Sequence, residues 1–310
     1  MNEEEKGISR RRFIRVAAFA SAATALGGAA LSGEEGDQQR PSPAPEAGPA
    51  KALPRSKVVL VRDRSAVKAG GALDGAVLGR MLDEAACALA DEPKPAEAWR
   101  RFFGPQDVVG IKTNVWKFLA TPPEVESALK ARIASCGVPE GALRITDRQA
   151  RTLLAPCTAL LNTRPVRTHH WAGVGGCIKN YIMFVEEPSA YHPDSCAGLG
   201  AIWNLPIVKG KTRLNVLVAL TPHFYGRGPH NFDPRYVWTY GGLFVSRDPV
   251  AVDALGAELL RRKRVDFFGE DRPVTSWKHV ELAETRHGIG VADLNRIDLV
   301  RIGWEERNLL

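Results

Sequence analysis

The period of the hydrophobic positions changes repeatedly along the chain. Residues 57–61 form a short β-branched run. After Asp74 the apolar residues Val77, Leu78, Met81, Leu82, Ala85 and Leu89 recur at helical spacing. A strand followed by a helix is expected there. Residues 107–113 predict a second strand, and their nearly continuous apolar character predicts burial on both faces. Thr121-Pro122-Pro123-Glu124 reads as a capping box, with Thr121 as N-cap, proline at the first helical position and Glu124 three residues after the cap. The helix it starts would bury Val125, Ala128, Leu129, Ile133 and Cys136 and stop at Gly137.

Further short strands are predicted at residues 143–146, 165–168, 214–220 and 243–246. Asp248-Pro249 then opens a helix with Val252, Leu255, Gly256 and Leu259 inward, and residues 297–302 would close the sheet. Strands alternating with helices predict an α/β fold over residues 56–310. Its sheet would be mainly parallel or mixed, with helices on both faces and a ligand crevice at the carboxyl ends of the strands.

The first 32 residues read differently. Ser9-Arg10-Arg11-Arg12-Phe13-Ile14-Arg15 precedes a weakly hydrophobic, Ala- and Gly-rich stretch at 16–31, the form of an export signal. It resembles the twin-arginine consensus. The apolar run is shorter than the ~20 residues that span a bilayer. Ala30-Leu31-Ser32 offers a cleavage point before Gly33, and no cysteine follows it to take a lipid. The expected location is therefore periplasmic or otherwise extracytoplasmic. The twin-arginine export machinery would be a partner, with membrane contact only through an uncleaved signal. That route implies folding before export, a circumstance compatible with a cofactor but naming none. Residues 33–55 are Glu-, Gln-, Pro-, Ala- and Gly-rich and read as an extended linker.

The net charge is +7, but residues 1–32 hold five basic and three acidic side chains, so +5 belongs to the rest. Without a dense Lys/Arg run, this excess argues against a nucleic-acid partner and slightly favours a small anionic ligand. The five cysteines, at 87, 136, 157, 177 and 196, stand singly, which argues against a disulfide scaffold and against zinc or ferredoxin cluster loops. Cys87 and Cys136 fall on apolar helix faces as small buried thiols.

Chemistry-bearing residues collect after the predicted strands: Lys112 and Asn114, Asp147, His169 and His170, Thr221 and His223, and Asp248. If the strands are parallel neighbours, these face one crevice. Asp248 reads most simply as a helix N-cap, and Asp147 equally well as a turn or cap residue. Lys112, directly after a buried run, either reaches out to solvent or meets an anion. In residues 169–180, Gly173, Gly175 and Gly176 lead into an apolar helical stretch with Lys179 and Asn180. Exposed N–H groups at such a helix start would bind an anion, whereas close packing is the plainer use of the glycines. Neither a Walker pattern nor a dinucleotide fingerprint is present. Histidines 169, 170, 192, 223 and 230 lack the spacing of a zinc helix. Asp253, embedded among Val, Ala and Leu, needs a partner such as Lys112 or Lys179.

In order, Val109-Gly110-Ile111-Lys112-Thr113-Asn114, Thr121-Pro122-Pro123, Arg167-Thr168-His169, Gly176-Cys177-Ile178-Lys179-Asn180 and Val245-Ser246-Arg247-Asp248-Pro249-Val250-Ala251-Val252-Asp253 resemble the blocks of the domain of unknown function 362 family. The resemblance spans residues 57–302, and the last block is its most specific part. Where members commonly show Lys before Thr-His, this chain has Arg167, which keeps the charge and removes a nucleophilic amine. The added ferredoxin-like cysteine segment of some relatives is absent, and the family name implies no activity.

The residues themselves support an enzyme in which Lys112, Lys179 and Arg167 hold a carboxylate or phosphate, lined by Asn114, Gly175, Gly176 and Asn180. His169 would be acid or base, tuned by Asp253 or Asp147. A non-catalytic metal or redox-cofactor protein using histidines and Cys177 is the alternative, and a binding module without chemistry is a third.

Overall fold

The apolar runs of the sequence become strands wherever they are short and β-branched, and helices wherever they recur every three or four residues. The computed structural model describes residues 54–226 and 232–310. The export signal, nearly all of the linker, and His230 lie outside the described residues.

In chain order the strands are β1 (Ser56–Arg62), β2 (Val109–Lys112), β3 (Leu143–Thr146), β4 (Ala159–His169), β5 (Gly173–Gly175), β6 (Thr212–His223), β7 (Gly242–Ser246) and β8 (Ile297–Gly303). The helices are α1 (Gly75–Ala90), α2 (Pro95–Arg100), α3 (Pro123–Ser135), α4 (Ala150–Leu153), α5 (Cys177–Asn180), α6 (Pro193–Cys196), α7 (Pro249–Phe268) and α8 (Lys278–Thr285). All eight strands share one mixed sheet ordered β3-β2-β4-β6-β7-β1-β8, with β5 paired to β4. It is parallel across β3, β2, β4 and β6 and between β1 and β8; β7 runs antiparallel to both neighbours.

Consecutive residues of a strand serve different faces. Val59, Ile111, Leu161 and Val216 pack with α1, α2 and α3, whereas Leu60, Leu160, Leu217 and Phe244 join the core built with α5, α7 and α8. Each fully buried Leu or Val contributes roughly 1.5–3 kcal/mol relative to exposure, so the sheet is held from both sides.

Caps follow the sequence in two helices and depart from it in a third. Asp74 accepts from the amides of Ala76 and Val77, and Asp248 accepts from those of Val250 and Ala251. Thr121 is not the cap of α3. Pro122 occupies that position, and the Thr121 hydroxyl accepts from the Asn114 amide and donates to the Thr163 carbonyl. The helix starts one residue late because Thr121 serves the loop before it. Gly137, in left-handed backbone at φ 87°, follows the helix end as expected.

Two features of the register position the site. Lys112 pairs with Asn162, so β2 ends there, while β4 runs on for seven residues to His169 and β6 accompanies it, pairing His223 with Arg167. At about 3.3 Å per residue, β4 projects roughly 20 Å past its neighbour. Ser246 pairs with Asn215 near the start of β6, so Asp248 lies at the amino end of the parallel strands. The expectation that Asp248 shares the crevice is therefore corrected. It accepts instead from Ser56 and from the Val291 amide, a structural role at the opposite end.

Candidate functional site

At the step where β2 ends and β4 continues, Lys112 is fully buried. Its ammonium donates to Asp147 at 2.6 Å, to the Thr113 carbonyl at 2.7 Å and to Asn180 at 3.2 Å. Three N–H groups meet three acceptors, so Lys112 has no donor left for a ligand. Asp147 also accepts from the Val115 amide at 3.0 Å. Burial pushes the Lys112 pKa down to about 8 against the pull of Asp147, and Lys112 in turn holds Asp147 below the usual carboxylate range. At neutral pH this is a charged pair. Asn180 continues the network through Asn162 and the carbonyls of Lys112 and Thr163, Asn162 reaches Asn215, and Asn114 donates to Asn180 at 3.4 Å. These side chains tie α5 and the loop after β2 to the sheet.

The glycine-rich turn does end at helix N–H groups, but the anion there belongs to the protein. Asp253, completely buried on α7, accepts from the amides of Cys177 at 2.5 Å and Ile178 at 2.8 Å. Its partners are thus backbone groups, with the Arg164 guanidinium close enough to lower its pKa, and neither Lys112 nor Lys179. Burial nevertheless dominates and raises the Asp253 pKa to about 7. Gly176 is required by this contact, because a Cβ there would lie 2.2 Å from an Asp253 oxygen. Gly176→Ala is accordingly expected to lower the unfolding free energy by about 1–3 kcal/mol, read from the urea midpoint; an unchanged midpoint would show that Asp253 moves freely. Gly175, opposite Arg167 in the β4–β5 pair, is less tightly confined, with a Cβ landing 2.9 Å from the tip of the Arg164 side chain.

Beyond the step, the projecting strands carry positive charge with little to balance it. Arg167 is 5% exposed, and its Nε and one Nη have no hydrogen-bond partner among the described residues. The face of its guanidinium lies 3.9 Å from the ring centre of Trp116, which leaves the edge of the guanidinium unused. His223, its neighbour across the strands, is fully buried, which together with Arg167 lowers its pKa, while Asp233 raises it. Arg164 donates to the Gly176 carbonyl, and its Nε is likewise unpartnered. Lys179 approaches the Cys196 thiol at 3.7 Å and has no carboxylate partner among the described residues. Burial, then the neighbouring cations, pushes the Lys179 pKa down to about 8.

His169 stands at the tip of β4 amid these groups. Burial comes first, then Lys179, Arg167, Arg164 and His170, in holding its pKa well below the ordinary value. Among the described residues these groups, and neither Asp253 nor Asp147, set its pKa, which corrects the expectation of tuning by either carboxylate. The ring is neutral at pH 7, and its Nδ1 accepts from the Trp171 amide at 3.2 Å, which assigns the proton to Nε2. His223 is pushed down to about 4 and His279, buried on α8, to about 3.

Lys112, Asn114, Asn180, Arg167, His169, Gly175, Gly176, Lys179 and Asp253 are therefore gathered at one end of the sheet, but in two sets. The first is the saturated Lys112–Asp147–Asn180 network; the second is Arg167, Lys179 and His169, whose polar groups are largely unused. Arg164, Asn162, Asn215, Trp116 and His279 also belong here and were not picked out from sequence. A cation and an amide within an otherwise apolar strand were the available signal. Among the described residues, no group of three His, Cys, Asp or Glu side chains is placed to hold a metal ion, and no helix is long and apolar enough to cross a membrane.

Residues 109–258 match the model of the family described as Domain of unknown function (DUF362). The matched span runs from the start of β2 into α7 and contains every residue of both sets, with His279 beyond it, which supports the family resemblance for that region. No curated protein and no solved structure matches the chain.

Proposed function

We propose that this protein binds a small carboxylate or phosphate at the projecting ends of β4 and β6, between Arg167, Lys179 and His169, and polarises it through the Nε2–H of His169. The unused edge of the Arg167 guanidinium carries this reading, because a buried cation with unpartnered N–H groups destabilises the fold unless an anion meets it. A planar guanidinium whose face is already covered presents its edge in the geometry that a carboxylate or phosphate accepts. His169, neutral with its proton on Nε2, would donate a hydrogen bond to a bound oxygen and so stabilise negative charge on it, without giving up the proton. Lys112 and Asp253 then act at one remove, fixing α5 and hence Lys179. Export by the twin-arginine route remains part of the proposal, resting on the sequence of residues 1–32.

The charge on Lys179 gives the test. Its pKa lies near 8, so it is charged below that pH and loses the charge as pH rises through it. Calorimetric titration with acetate, which stays ionised throughout, should show affinity falling about tenfold between pH 7 and pH 9.5, as expected for one charged hydrogen bond. Affinity independent of pH over that range would remove Lys179 from the site, and absence of heat for both acetate and phosphate at every pH would sink the proposal.

A further inference from the structure

Next to the unused edge of Arg167 lies an aromatic cluster that the anion-binding reading does not employ. Trp116, stacked on Arg167, meets Phe118 edge-on at 5.2 Å and Phe232 at 5.9 Å between ring centres. Phe118 and Phe232 stack on each other at 5.1 Å, and Phe232 touches the His223 ring at 4.9 Å. The cluster therefore connects two buried polar groups, His223 and Arg167, whose Nε and one Nη have no partner among the described residues, to the surface. There Phe118 is 42% exposed, and the adjacent Val115 is 51% exposed.

Resting on the anion-binding reading above, we propose that the ligand is an aromatic acid, its carboxylate on the edge of Arg167 and its ring packed over Trp116 and Phe118. A lone inorganic anion would leave the exposed aromatic faces unused, and a purely apolar ligand would leave Arg167 without a counter-charge. A ring one or two bonds from a carboxylate satisfies both, because apolar walls with one or two placed polar groups are the usual make-up of a small-molecule site. Offset or edge-on ring contacts add to simple area burial. Lys117, whose ammonium lies 5.5 Å from the Phe118 ring centre, adds positive charge on the solvent side, which favours approach of an anion. A partner protein is the less fitting occupant, since the Arg167 edge, which has no partner among the described residues, is buried and not part of an open surface.

The experiment is a calorimetric comparison of acetate with phenylacetate at pH 7, on the wild-type protein and on Phe118→Ala and Trp116→Ala. Phenylacetate should bind at least about tenfold more tightly than acetate to the wild type, the gain of one well-packed ring. Phe118→Ala removes an exposed side chain and should bring that ratio down to roughly threefold while the acetate affinity stays within about twofold; Trp116→Ala should abolish the discrimination. Equal affinities for the two acids in the wild type would overturn the aromatic-acid proposal and leave the anion site standing. Binding of neither acid would overturn both. A ratio unchanged in both variants, or a wild-type dimer that Phe118→Ala converts to monomer in sedimentation, would assign the cluster to another purpose and also overturn it.

Discussion

Asp253→Ala should lower the unfolding free energy by about 3–5 kcal/mol, the usual consequence of removing one partner from a buried charged group. The carboxylate is completely enclosed, receives two amide N–H groups from the first turn of α5, and offsets the charge of Arg164 more than Asp147 does. Without it, two buried donors and a guanidinium lose their acceptor, and α5 loses the contact that sets its position on α7. Asp253→Asn keeps one acceptor and should have about half the effect. The pH dependence separates this group from others. The folded pKa, about 7, lies above the unfolded value, so the folded state holds the proton more tightly and this group's share of stability is lost as pH rises from about 4 through about 7. Urea unfolding at pH 5 and pH 8 should therefore show a drop in wild type that Asp253→Ala lacks. A loss below about 1 kcal/mol, with the same pH slope as wild type, would place the support of α5 elsewhere.

Arg167→Met should do the opposite, removing carboxylate affinity by about a hundredfold while leaving stability within about 1 kcal/mol of wild type or raising it. Methionine keeps the length needed to cover Trp116 and makes a favourable sulfur–aromatic contact, but has no charge to bring to an anion. The asymmetry between the two variants follows from their surroundings: Asp253 is fully engaged by protein groups, whereas Arg167 has stacking and few hydrogen bonds. Unfolding midpoints and calorimetric titrations of the same preparations measure both effects. Retained affinity together with a fall of several kcal/mol would make Arg167 a structural residue.

The elements that periodicity and capping specify were legible: α1 from Asp74, α7 from Asp248-Pro249, and the paired apolar faces of the sheet. The lengths of β4 and β6 were not. Asn162 and Arg164 interrupt the apolar pattern of β4, and their polarity is tolerated because Cys177, Asn215 and Gly176 meet them. Strand direction is absent from a local pattern, so Asp248 was grouped with residues at the other end of the sheet until β7 proved antiparallel. The position of Asp253 in an apolar helix correctly demanded an internal partner. That partner was invisible because it consists of backbone amides, which no residue identity announces. The blocks around Lys112, Arg167, Lys179 and Asp253 were legible as a family resemblance, yet sequence could not separate saturated groups from unused ones. The three acceptors around Lys112 make it a support, whereas the Nε and Nη of Arg167 without partners among the described residues make it the principal candidate for an anion.

A crystal structure of the protein grown with 4-bromobenzoate, phased on the bromine, tests the anion site at Arg167 most directly. The predicted result is a carboxylate within hydrogen-bond distance of the Arg167 edge, with the bromine directed toward Trp116 and Phe118. Density placing the acid elsewhere, with the Arg167 Nε and Nη groups bonded to oxygens of the protein itself, would contradict it.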